Sequence, residues 1–128
     1  MNKTFLITAA ILGAISVILG AFGAHGLKSR MNADTFEIFE TAVKYQFYHV
    51  FTLLAVAIIM QFIPGNLLLW SGRFFIAGII LFSGSLYLLS YFKMMNNQQM
   101  NWLGAVTPFG GLCFIAGWIL MAVAILKK

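Results

Sequence analysis

Charge is scarce in this chain, and so are cysteine, proline and acid. Among 128 residues, eight are lysine or arginine and three are aspartate or glutamate, 9 % in all, against 62 % hydrophobic residues. The mean hydropathy is +0.95. Soluble domains carry about 25 % charged residues, so this chain has too little polar surface to cover a water-exposed globule. A soluble enzyme and a disordered tail are excluded. The net charge of +5 rests on scattered residues, which excludes the clustered cations that grip a nucleic-acid backbone. Lone Cys113 rules out an internal disulfide, and no Cys or His spacing suggests a metal site. With its three acids confined to one linker, the chain offers no paired catalytic carboxylates. It also has no Ser-His-Asp set and no His-Glu-x-x-His motif. The expectation is a non-enzyme without catalytic residues, cofactor or metal.

What the chain does have is long apolar runs. Four charge-free stretches, Phe5–Ala24, Tyr45–Ile63, Phe74–Phe92 and Leu103–Leu126, hold 20, 19, 19 and 24 residues. All eleven formal charges lie outside them. A helix needs about 20 apolar residues to cross a hydrocarbon core, and in lipid only helices and closed barrels satisfy their backbone. Barrel strands would alternate over about 10 residues, whereas these runs are continuous. The expected fold is all-α: a single membrane domain over 1–128 with four spans. The first run is read as a retained span, since a signal core is usually about 7–15 residues long.

The connections differ in kind. Pro64-Gly65-Asn66 is a turn signal, and Asn96-Asn97-Gln98-Gln99 is a short polar bridge. Residues 34–47 read instead as an amphipathic helix preceding the second span. Asp34 and Glu37 resemble a capping box, and Phe36, Phe39, Val43 and Phe47 recur on one side. Glu37, Glu40, Thr41 and Lys44 fall largely on the other. Such a helix can lie in the membrane interface. The basic residues divide four to four between the two sides of the membrane. The rule that cytoplasmic loops are positive therefore ties. The three acids all lie in the first connection, on the side it shares with the third, which tips the expectation toward cytoplasmic termini.

Polar side chains gather in one leaflet. His25 follows the first span, and Tyr45, Gln46, Tyr48, His49 and Thr52 open the second. Ser83, Ser85, Tyr87 and Ser90 fall late in the third, and Thr107 opens the fourth. Because neighbouring spans run antiparallel, all of these map to the side of the first and third connections. Tyr45, His49 and Thr52 share a helical face, as do Ser83, Tyr87 and Ser90, and Thr107, Gly111 and Phe114. Ser16, Gly20 and Ala24 form a small-residue stripe that allows close packing. Two readings stay open: hydroxyls and amides that hold four helices together, or a cluster that receives a proton, an ion or a lipid headgroup.

Four motifs coincide, in order, along the chain: Gly20-Ala21-Phe22-Gly23-Ala24-His25-Gly26-Leu27, Tyr45-Gln46-Phe47-Tyr48-His49, Phe82-Ser83-Gly84-Ser85-Leu86-Tyr87 and Thr107-Pro108-Phe109-Gly110-Gly111, with Gly117-Trp118 after the last. Together they resemble the UPF-0382 or YgdD-like family of small bacterial inner-membrane proteins of unknown function, to which a eukaryotic transmembrane protein 256 is related. The resemblance implies an integral plasma-membrane protein with no established activity. Expected partners are membrane lipid and a homo-oligomer or larger membrane complex, not nucleic acid. The leading functional expectation is a structural or envelope-associated membrane component; the other is a small transporter or lipid- or ion-binding protein.

Overall fold

The computed structural model describes residues 2–128, and four long apolar helical rods make up the chain. The first rod is α1, Lys3–Phe22, continued by a π-helical turn over Gly23–Leu27. The second is a single helix, α2, Ala33–Ile59. The third is built from α3, Asn66–Gly78, a π turn over Ile79–Ser83, and α4, Gly84–Met94. A short 3-10 turn at Gln98–Met100 leads into the fourth, α5, Leu103–Leu126. Each rod is long and apolar enough to cross a membrane.

Local chemistry explains the ends. Asn2 caps α1 by accepting the Phe5 amide at 3.0 Å, and Asn32 caps α2 by accepting the Thr35 amide at 2.8 Å. The cap therefore lies two residues before Asp34, and it is a single side-chain bond in place of the expected capping box. Asp34 sits instead in the first turn, where its charge favours the helix dipole. Gly65 precedes α3 with φ of 157°, a value side chains rarely adopt. Beyond α4, Asn96 takes a left-handed φ of 58° while the Asn97 amide reaches back to the Phe92 carbonyl at 2.8 Å. That arrangement stops a helix and satisfies its last carbonyls.

Residues 34–47 are helical as expected, but they do not form a separate helix lying in the membrane interface: they are the first half of the second rod. No glycine or proline interrupts Ala33–Ile59, so 27 residues run about 40 Å without a break. Its aromatic side packs into the protein: Phe39 is buried with Leu27 and Met31, and Phe36, Val43 and Tyr87 pack against them. The third rod also starts before its apolar run. Arg73 ends the charge-free stretch but lies within α3, exposed, with its guanidinium 4.8 Å from the Trp70 ring.

α2 is the most enclosed helix, and the core forms around Val50, Leu53, Val56 and Ala57 with Phe5, Leu68, Phe75, Ile79 and Phe114. Bare glycine backbone receives several of the rings. A methyl group on Gly72 would overlap Phe5, one on Gly78 would overlap Phe114, and one on Gly117 would overlap Phe75. In a membrane the apolar surroundings supply no hydrophobic drive between helices, so this close packing carries much of the cohesion.

Candidate functional site

Each polar side chain in the lipid-spanning region must find a partner inside the protein, because lipid provides none. Among the described residues, no buried side-chain nitrogen or oxygen lacks a hydrogen bond. The partners form an ordered set of links between helices.

Gln46 is the hub. Its amide nitrogen donates to the Leu12 carbonyl on α1 at 3.0 Å, and its amide oxygen accepts from the Tyr87 hydroxyl on α4 at 2.6 Å. One side chain therefore joins three helices. Ser16 shares the Leu12 carbonyl, donating at 2.8 Å from its own helix. One turn toward the first connection, Ser83 donates to the Ala42 carbonyl on α2 at 2.8 Å. Ser85 and Thr107 bond hydroxyl to hydroxyl at 2.6 Å across α4 and α5. Ser90 and Thr52 bond back along their own helices, to Tyr87 and Tyr48. The third-rod stripe Ser83–Tyr87 thus faces α2, as its spacing implies.

His49 occupies a second centre beside this hub. Its ring stacks on Phe114 with centroids 3.5 Å apart and planes 5° from parallel. Nδ1 lies 2.8 Å from the Tyr45 carbonyl, and Nε2 lies 3.2 Å from the Trp118 indole N–H. The carbonyl only accepts and the indole only donates. Both bonds form only when the proton sits on Nδ1 and Nε2 is bare, so the geometry fixes the neutral tautomer. Phe75 completes the aromatic shell, edge-on to Trp118 at 5.4 Å.

Some expected members stand apart. His25 is exposed in the π turn that ends the first rod. Tyr48 is exposed, and Tyr45 is partly exposed with its ring stacked on Phe82 at 4.6 Å. His25 does not join His49. It lies at the end of the first rod, while α1 and α2 meet near His49 through Gly13 and Val50, close to the middle of the rod. The difference in depth has a physical reason. Counting from the start of the apolar run places His49 at the surface, but the helix begins 16 residues earlier, at Ala33.

Three participants lie outside the set expected from the sequence. Trp118 continues the Thr107, Gly111, Phe114 stripe by four residues, a signal present in the spacing. Ser71 donates to the Gly117 carbonyl on α5 at 2.7 Å, in the opposite half of the bundle, where the sequence is nearly all Leu, Ile, Val, Ala and Phe. Gly23, rather than Ala24, gives the close approach at the end of α1, where it meets the Phe39 ring. Of the paired glycines, Gly110 lies against the Phe82 backbone, and Gly111 faces open space.

No group of three or more His, Cys, Asp or Glu side chains that would hold a metal occurs among the described residues. The chemistry assembled is amide, hydroxyl and neutral imidazole, each engaged by protein partners.

Residues 19–111 match a family described as a protein of unknown function, DUF423. The UPF0382 membrane protein YwdK of Bacillus subtilis is 41 % identical over 126 residues, covering 98 % of each chain. The UPF0382 inner membrane protein YgdD of Escherichia coli K12 is 40 % identical over 126 residues, covering 98 % of this chain and 92 % of that one. A UPF0382 membrane protein of Staphylococcus haemolyticus is 39 % identical over 125 residues, 98 % of this chain and 97 % of the relative. No solved structure matches. Four apolar rods and relatives of nearly equal length, named as membrane proteins, agree on what the chain is: a multi-pass membrane protein belonging to the UPF0382 (DUF423) family.

Proposed function

We propose that this protein is a non-enzymatic structural component of a bacterial inner membrane, and that its polar cluster serves to fix four helices in register. The observation that carries this reading is the closed hydrogen bonding of every buried polar side chain among the described residues. A site built to receive a proton or ion would hold donors or acceptors in reserve. Gln46 and His49 instead spend both ends of their side chains on the protein. Gln46 and His49 line none of the three grooves beside the first connection, and of the hydrogen-bonded set only Tyr87 and Ser90 border one of them.

The experiment compares wild type with His49→Phe. Phenylalanine keeps the stack on Phe114 and removes the bond to Trp118. Interhelical hydrogen bonds in membranes average about 0.6 kcal/mol, so the variant should lose about 1 kcal/mol or less in an SDS unfolding titration. Proteoliposomes of either form should pass protons, Na⁺ or K⁺ no faster than protein-free vesicles. A flux that requires His49 would replace the structural reading with the transporter.

Both termini belong in the cytoplasm on this reading. In a Cys113→Ala background, a cysteine at position 98 should react with an impermeant maleimide added to intact cells. A cysteine at position 2 should react only after lysis. The reverse pattern would invert the topology without touching the fold.

A further inference from the structure

A groove of about 330 Å³ runs between the end of the first rod and the first half of α2, on a different face from the hydrogen-bonded hub. Gly20, Gly23 and Ala24 give it a floor almost without side chains, and Phe36, Phe39 and Val43 form an apolar wall. Three charged side chains line the same space: Lys28 from beyond α1, and Glu40 and Lys44 from α2. A volume near the small end of ligand pockets, about 300–1,000 Å³, suits one headgroup and the start of its chains.

The position of the charges narrows the occupant. The groove straddles the end of the first charge-free run at Ala24, and Lys28, Glu40 and Lys44 surround it there, the depth at which charge stops being costly and hydrocarbon ends. The groove therefore opens where headgroups lie, and the exposed Phe51 and half-buried Phe47 continue its α2 wall toward the hydrocarbon. Helical side chains lean toward the N-terminus of their helix, so Lys44 leans toward Glu40 and the membrane surface. Glu40 and Lys44 are four residues apart, about 6 Å along the axis. The acid is the outer of the two. A phosphoethanolamine headgroup has this order: its phosphate lies next to the glycerol, and its ammonium lies farther out. A purely anionic headgroup would meet Glu40 with like charge. A choline headgroup would offer Glu40 no N–H to donate.

We propose that this groove binds one phosphoethanolamine-headed phospholipid, with its phosphate on Lys44, its ammonium on Glu40 and Lys28 closing the rim from the opposite wall. The occupant is an amphiphile because charged and apolar walls meet in one groove at headgroup depth. The proposal uses no residue of the Gln46 and His49 centres, so it stands or falls separately from the structural reading.

The test uses the full chain, purified in mild non-ionic detergent and titrated with phosphatidylethanolamine, phosphatidylcholine or phosphatidylglycerol of identical acyl chains. Bound lipid is counted by native mass spectrometry. Phosphatidylethanolamine should be retained about tenfold better than either of the others, a difference of about 1.4 kcal/mol. Glu40→Gln should bring phosphatidylethanolamine and phosphatidylglycerol to parity. Lys44→Gln should lower retention of all three. Both positions are exposed, so the variants should fold as the wild type does, which near-UV circular dichroism checks. Equal retention of the three lipids by the wild type, or preference for phosphatidylglycerol, would overturn the proposal, as would a Glu40→Gln variant that keeps the original preference.

Discussion

Gly110→Ala should destabilise the protein by about 3 kcal/mol, the upper part of the range for inserting atoms into a packed core, while Gly111→Ala one residue away should be neutral or slightly stabilising. The contrast comes from what each new methyl group meets. At Gly110 it would lie 2.7 Å from the Cα of Phe82 and closer still to its backbone nitrogen. Backbone inside a helix cannot swing aside as the end of a side chain can, so α5 and the third rod would have to separate. That separation would also strain the neighbouring links, the Ser85–Thr107 bond and the contact of Phe82 with Phe114. At Gly111 nothing lies within 4 Å, and replacing a helical glycine by alanine typically recovers about 0.5–1 kcal/mol of backbone entropy. The measurement is a pair of SDS unfolding titrations in mixed micelles. Equal midpoints for the two variants would show that the approach of α5 to Phe82 is not tight.

That pair of glycines also shows which features the sequence could disclose. Gly110-Gly111 signals close approach, but the letters do not say which of the two makes it. The answer depends on the rotation of α5 against a π turn at Ile79–Ser83, and a π turn is a compromise reached between packed helices. The spans were legible because the cost of burying charge in lipid separates charged from charge-free segments sharply. The same physics hid the helix ends. Charge marks where hydrocarbon ends, whereas a helix continues until a cap or a breaker stops it, as Arg73 inside α3 and Ala33 at the head of α2 both show. The hub was legible in part: Gln46, Ser83, Tyr87, Ser85 and Thr107 share a depth and helical faces, and unpaired polar groups at one depth seek each other. His25 shared the residue type but not the depth. Trp118 is half exposed, and by composition alone an exposed tryptophan in a span reads as a lipid contact.

Gln46→Leu should cost about 2 kcal/mol, and adding Tyr87→Phe should recover part of that loss. Leucine is close in size to glutamine, so the core keeps its shape and the effect is confined to polar partners. Two interhelical bonds disappear, each worth about 0.6 kcal/mol on average in a membrane. The greater cost lies in the partners left behind. The Leu12 carbonyl still accepts from Ser16, but Tyr87 loses the acceptor at 2.6 Å on which its hydroxyl depends. Tyr87 is half-buried, and a polar group left without a partner between packed helices costs about 1–3 kcal/mol. Tyr87→Phe alone should cost less, since Gln46 keeps its bond to Leu12 and loses only one acceptor contact. In the double variant no hydroxyl is left stranded, so its loss should fall below that of Gln46→Leu alone. The double-mutant cycle would then show a coupling of about 1 kcal/mol or more, as expected for side chains in direct contact. Strict additivity, or a Gln46→Leu variant as stable as the wild type, would mean that shape alone holds the four rods together and that the amide at position 46 is dispensable.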